Sequence, residues 1–372
     1  MQSIDLSAKE RDDSQGKPAD SHSIDTPYPW VINPALDYLF VSGGMLWILW
    51  GLSYLGLSGN KTDPASTFFG IVLFYGSLLI TDTHGPATLA RVFTSKTTPA
   101  TVKKVVIAAA LLVLALAIPS LTSLTFAQVF TKITLLWAIQ HYTAQTYGVV
   151  MIYCLKRQFT LSTLERLVIQ NMLRAQLIFV LVRAFTIPQF GQINFLGLDL
   201  PFWGPLPIGF LILSQFLLVL MGIFFVLTFG YRAISTKQVL PLPAVLSIIT
   251  VISLTLLSRD NIHYFMGVTF YHSSQYLSIT YSYFLKEQAL QKNLKVSSNG
   301  WNQVLAPWSL IYYMALLAVG YVISFKLPDL LSLQVPAAIA LCTVYSVFNC
   351  HHFFTDALVW RIRDSKVRQI LV

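Results

Sequence analysis

Asn349-Cys350-His351-His352-Phe353-Phe354-Thr355-Asp356-Ala357-Leu358-Val359-Trp360-Arg361 closes the last long apolar run of a 372-residue chain. Two adjacent histidines, and a carboxylate four residues past the second, sit inside sequence that otherwise reads as membrane-spanning. Ionisable groups in such sequence are costly and mark function unless another use is found. Three other apolar runs carry the same mixture: Asp82 with His84, His141 with Gln145, and His272 with Gln275. Of the seven histidines only His22 lies clearly outside an apolar run. The expectation is that four spans converge on a metal.

Outward from that stretch, the composition is 55% hydrophobic and only 11% charged, where a soluble domain carries roughly 25% charged residues. The fold class expected is all-α, a polytopic membrane protein. Apolar runs recur about every 30 residues, and about 20 residues cross a bilayer core, which predicts about ten transmembrane helices. They fall near 36–58, 64–90, 105–126, 129–155, 164–188, 205–230, 239–258, 262–285, 305–325 and 336–360.

The net charge of +9 is explained by where the basic residues sit. With the loops assigned alternately from a cytoplasmic amino terminus, sixteen Lys and Arg flank the cytoplasmic ends, Arg91, Lys156, Lys286 and Arg361 among them. Three, Lys61, Arg259 and Lys326, lie outside. This positive-inside bias predicts both termini in the cytoplasm and a cell-membrane location, and it removes any need to invoke nucleic acid. Residues 1–27 are polar with little to bury and read as a disordered cytoplasmic tail. Residues 28–360 form the transmembrane domain, and 361–372 a short basic tail. Tyr28-Pro29-Trp30 reads as an interfacial anchor. Cys154, Cys342 and Cys350 are too few for a disulfide framework, and Cys350 is a neighbour of the histidine pair.

In the second span, Pro86 lacks the amide that would bond the Asp82 carbonyl and crowds that turn. A broken helix at this depth is tolerated where it lines a cavity. In the fourth span His141, Gln145 and Gly148 share one helical face. In the eighth, His263 and His272 face opposite ways, and His263, near the outer end, is set aside. Arg183 is expected to snorkel at the outer end of the fifth span. Arg174 lies deeper and is expected to neutralise Asp82 or to bind an anionic substrate group.

Each cytoplasmic charge row gives a ruler of about 1.5 Å per residue. His84, His351, His272 and His141 then lie at depths of roughly 10, 15, 21 and 22 Å, on spans that all run the same way. Imidazole with carboxylate and no thiolate favours non-haem iron or manganese over structural zinc; copper and haem are further candidates. The expected ligands are His84, His141, His272, His351, His352, Asp356 and Asp82, more than one closed tetrahedral ion uses. That surplus allows one or two irons, with Gln145 and Gln275 orienting the rings.

A centre of this kind inside lipid suits a hydrophobic substrate arriving sideways, hence an oxidoreductase that hydroxylates, desaturates or oxygenates a lipid or isoprenoid chain. It would need a separate electron donor, docked on the basic inner surface. The HxxxH and HxxHH boxes of membrane desaturases and hydroxylases are absent. The alternative is a proton-coupled transporter that relays protons through the same His, Asp and Arg residues.

Overall fold

The computed structural model describes residues 28–52, 76–258, 261–291, 300–360 and 365–371. The expected tail 1–27 and the first part of the second span lie outside the described residues, as does the His263 side chain. Helix occupies some part of every expected span. The helices that position the site are α1 (Gly44–Leu52), α2 (Asp82–Thr94), α3 (Ala100–Thr122), α4 (Leu124–Lys156) and α5 (Thr163–Thr186). They continue with α6 (Ile208–Thr236), α7 (Leu242–Leu257), α8 (Asn261–Gln291), α9 (Pro307–Leu331), α10 (Ala337–Val359) and α11 (Ser365–Leu371).

Five of these, α3, α5, α6, α9 and α10, are long and apolar enough by themselves to cross a membrane. The chain is therefore read as an all-α membrane protein. α6 has a mean hydropathy of 2.7 and buries almost none of its length, as suits a helix whose partner is lipid. α4 and α8 are longer, with 33 and 31 residues, or about 50 Å and 46 Å of rise. Their Thr, Gln, His, Ser and Tyr residues lower the hydropathy. They form the buried centre of the bundle, with α4 packed on α7, α5 and α10, and α8 packed on α2 and α7.

Local chemistry sets the helix ends. Ser162 and Glu165 close a reciprocal capping box at the start of α5, and the Glu165 carboxylate then accepts from Arg232 Nη1 at 2.7 Å, tying α5 to α6. Ser123 caps α4. Between α5 and α6, strands β1 (Ile193–Phe195) and β2 (Leu198–Leu200) form an antiparallel hairpin that pairs Ile193 with Leu200. Its turn residues Leu196 and Gly197 both have positive φ, the geometry of the tight hairpin turn that matches strand twist. Ile193, Leu198 and Leu200 pack with Leu135 and Cys342, closing one end of α4 and α10.

Two short segments are fastened to the bundle by polar contacts. Asp37 is fully buried and accepts from the Val31 and Ile32 amides at 2.7 and 2.9 Å and from the Tyr153 hydroxyl at 2.8 Å. Arg157 stacks over Trp30 at 4.3 Å, which holds the aromatic anchor to α4. In the expected basic tail, α11 docks by burying Val367, Ile370 and Leu371, while Lys286 Nζ donates to the Leu371 carbonyl. Arg183 does not snorkel. It is buried and donates at 2.7 Å to the Thr255 carbonyl in the last turn of α7, where a cation meets the negative end of the helix.

Candidate metal centre

Four histidines from four helices meet in the interior: His84 of α2, His141 of α4, His272 of α8 and His352 of α10. Their ring centres form a closed circuit, with His84 to His272 at 5.3 Å, His272 to His141 at 4.9 Å, His141 to His352 at 5.3 Å and His352 to His84 at 4.7 Å. One diagonal, His272 to His352, is 6.0 Å. With a metal–nitrogen bond of about 2.1 Å a ring centre lies roughly 3 Å from the ion, so rings at right angles are about 4.5 Å apart and opposed rings about 6 Å. The spacings are those of imidazoles gathered near an ion, with donor atoms in two groups that share His352: His84, His272 and His352, and His141, His352 and Asp356.

One helical turn further along the same four helices lies a second tier of polar groups: Thr88, Gln145, Tyr276 and Asp356, each four residues after its histidine. Three of them bond to one another. Tyr276 donates to Asp356 Oδ1 at 2.5 Å, Thr88 donates to the Tyr276 oxygen at 2.7 Å, and Trp360 Nε1 donates to the same oxygen at 2.9 Å. Thr88 Oγ1 also lies 2.8 Å from His352 Nδ1.

Following the protons sets the tautomers. With the single Thr88 hydroxyl proton on its shortest acceptor, the Tyr276 oxygen at 2.7 Å, the proton between Thr88 and His352 belongs to Nδ1. That leaves His352 Nε2 as a bare lone pair. His84 Nδ1 contacts the Thr81 carbonyl, which only accepts; Nδ1 therefore carries the proton and Nε2 is bare. A ring donating its far N–H to a carbonyl is the usual setting of a metal-bound histidine.

The buried atoms without partners point the same way. Among the described residues, His141 Nε2, His352 Nε2 and both ring nitrogens of His272 have no hydrogen bond, although His272 and His352 are each only 2% exposed. Leaving a buried donor or acceptor unmade costs about 1–3 kcal/mol each. Asp356 Oδ2 lies 3.4 Å from Nε2 of both His141 and His352. Ligand atoms of His84, His272 and His352 fall within 4.8 Å of one another, as do those of His141, His352 and Asp356. A cation within either group would satisfy the lone pairs of that group.

The other expected site residues face elsewhere. His351, about 100° round α10 from His352, places Nε2 at 3.1 Å from the Val106 carbonyl of α3. Asp82 pairs with Ser324 of α9. Arg174 is exposed on α5 and bonds Asn171 of its own helix, so it does not meet Asp82. Cys350 Sγ contacts Thr134. Gln145 lies beside the cluster and donates to the His272 carbonyl at 2.9 Å and to Gln275 Oε1 at 3.2 Å. Gln275 donates to the Val41 carbonyl and to Tyr271. Gln145 thus holds the backbone of α8, and Gln275 ties α8 to the Val41 carbonyl, rather than either bonding the rings.

The break in the second span lies before His84, as a single wide turn over Ser77–Thr81, while Pro86 is accommodated within α2. The Asp82 carbonyl freed by Pro86 faces Gly320, where a Cβ would stand only 2.3 Å from it. A Cβ on Gly85 would meet the Phe348 ring of α10 at 2.1 Å. These two glycines let α9 and α10 pack closely against α2.

Thr88, Tyr276 and Trp360 are site residues that composition alone does not single out. The signal present in the chain was the recurrence of a polar residue four positions after each histidine. Two aromatic rings hold the circuit in place: Tyr142 lies against His272 at 4.4 Å and Phe353 stacks on His141 at 4.4 Å.

A cavity of about 280 Å³ adjoins the cluster on one side. His141, Tyr276 and Asp356 form its polar wall, with Gln140 and Gln145; the remaining walls are apolar, including Ala144, Gly148, Phe353, Ala357 and Trp360. His84, His272 and His352 lie behind that wall. No protein-family model, curated protein or solved structure matches the chain.

Proposed function

We propose that the chain is a cell-membrane protein of ten transmembrane helices with both termini cytoplasmic, and that it is an oxidoreductase with one histidine-ligated non-haem iron that hydroxylates, desaturates or oxygenates a lipid or isoprenoid chain. The observation carrying this reading is that donor atoms of His84, His272 and His352 lie within 4.8 Å of one another, with His141 and Asp356 grouped beside them through His352. His84, His141, His272 and His352 would hold the iron. One ion rather than two is favoured because both groups of ligands share His352, whose Nδ1 is occupied by Thr88.

Four imidazoles with a carboxylate and no thiolate suit iron better than a structural zinc site. When bound, the metal would supply oxygen activation. The chain's own residues do the rest. Tyr276, Thr88 and Trp360 hold Asp356 in place and fix the tautomer of His352. Asp356, which lines the cavity, is placed to accept a proton from that side. Tyr142 and Phe353 keep water from the rings. A one-electron donor would dock on the basic cytoplasmic surface.

Metal analysis of the detergent-purified protein tests the assignment. About one iron per chain is expected, lost in His272→Ala and His352→Ala variants that still run as folded monodisperse protein. Purified wild-type chains without a transition metal, even after reconstitution with ferrous iron, would sink it. Proton-driven uptake by such metal-free protein in vesicles would then favour the transporter reading.

A further inference from the structure

We infer that the cavity beside the histidine circuit is a side door from the bilayer, which admits an uncharged hydrocarbon chain between α4 and α10 and presents it to the His141–Asp356 edge. This deepens the functional reading above and rests on it for the chemistry, but the binding geometry stands on separate observations.

The first is where the cavity opens. Trp137, Gln140 and Ala144 of α4 and Ala357 of α10 line it and are at the same time exposed on the outside of the bundle. They lie on helical stretches whose outward neighbours, such as Ile133 and Phe354, are exposed apolar residues. At that depth an outward face meets acyl chains rather than water, so what enters comes from lipid.

The second is size. A volume of about 280 Å³ is at the lower end of ligand cavities, which run from about 300 to 1,000 Å³. It takes a stretch of chain and leaves the remainder of a lipid outside in the bilayer. The third is the lining. Asp356 is the one formally charged side chain on the wall among the described residues, and it is engaged by the Tyr276 hydroxyl. Nothing there pairs with a phosphate or carboxylate headgroup, so the part of the substrate that enters is apolar.

Gly148 sets the width of the door. It lines the cavity two turns beyond His141, and a Cβ built there would meet no atom of the described residues within 4 Å. A larger side chain at this position projects into empty space and fills the passage without displacing a helix. Its distance along α4 from His141 keeps such a change away from the ring nitrogens.

The test uses the full chain in phospholipid nanodiscs with a fatty acid carrying a diazirine at its terminal carbon, followed by photolysis and peptide mapping. Labelling concentrated on Ala144, Phe353 and Ala357 is expected. In Gly148→Leu it should fall at least tenfold, while labelling of the lipid-facing helix α6 stays unchanged. Labelling spread evenly over α3, α6 and the cavity residues, or cavity labelling that persists in Gly148→Leu, overturns the inference. Iron content measured on the same samples judges the metal assignment separately, because chain binding at this door does not require the ion.

Discussion

Asp356 directs Oδ2 to a point 3.4 Å from Nε2 of His352, its neighbour one turn earlier on α10, while Oδ1 receives the Tyr276 hydroxyl at 2.5 Å. One carboxylate thus joins two tiers of the interior, a circuit of imidazoles and a ring of hydroxyls that orients it. The pairing explains why a carboxylate is kept at this depth, since its hydrogen bonds and adjacent rings offset the cost of burying it.

Adjacent histidines should differ sharply. His352→Ala is expected to lose the bound metal, whereas His351→Ala, which gives up a contact to the Val106 carbonyl of α3, keeps it with a small loss of stability of about 1 kcal/mol. Metal content per chain and thermal unfolding in detergent distinguish the two. Equal metal loss in both variants would count against the circuit.

Tyr276→Phe leaves the ring in place but takes the donor from Asp356 and the acceptor from Thr88 and Trp360. Removing a group that orients a ligand lowers metal affinity by about 10–100-fold. The prediction is correspondingly faster iron loss to a chelator, with the helix content by circular dichroism unchanged.

Acid should strip the site. Rings bind a metal only through unprotonated nitrogens, and metal binding releases protons, so occupancy is complete at neutral and higher pH and falls as pH is lowered. Because several imidazoles and Asp356 compete for protons at once, the loss should involve more than one proton per ion. Metal content after dialysis at a series of pH values measures the slope. Retention that is flat from neutral to acidic pH would argue against histidine ligation.

Gly320→Ala tests how closely α9 must approach α2. Its new Cβ would stand 2.3 Å from the Asp82 carbonyl, so the helices must separate. Overpacking of this kind costs about 1–3 kcal/mol. A lower unfolding temperature together with reduced metal occupancy is expected, since α2 carries His84; unaltered values of both would show that the contact is dispensable.

Asp37→Asn probes stability away from the site. It weakens three hydrogen bonds that fasten residues 31 and 32 to Tyr153 of α4, bonds to a charged acceptor being worth about 1.5–3 kcal/mol each. The variant should unfold at lower temperature yet bind iron stoichiometrically when folded, as judged by metal analysis of the monodisperse fraction.

The apolar runs, the polar residues inside them and the four-residue spacing on each helix were all legible in the chain, because helical periodicity and the cost of burying polar groups in lipid are local properties. They were enough to single out α2, α4, α8 and α10 and to bring His84, His141, His272, His352 and Asp356 into view. Which of His351 and His352 faces inward was not legible. They differ by about 100° of rotation, and the choice depends on whether α3, or α2 and α4, pack against a given side of α10. The same holds for Asp82, turned toward Ser324 by the wide turn before His84 and the close approach of α9 at Gly320, and for Arg174, left on the outer face of α5. Sequence by itself determined what each helix carries. Only the tertiary structure decided what meets, because residues such as Thr88, Tyr276 and Asp356, far apart along the chain, become hydrogen-bond partners only when packing sets the rotation and depth of every helix together.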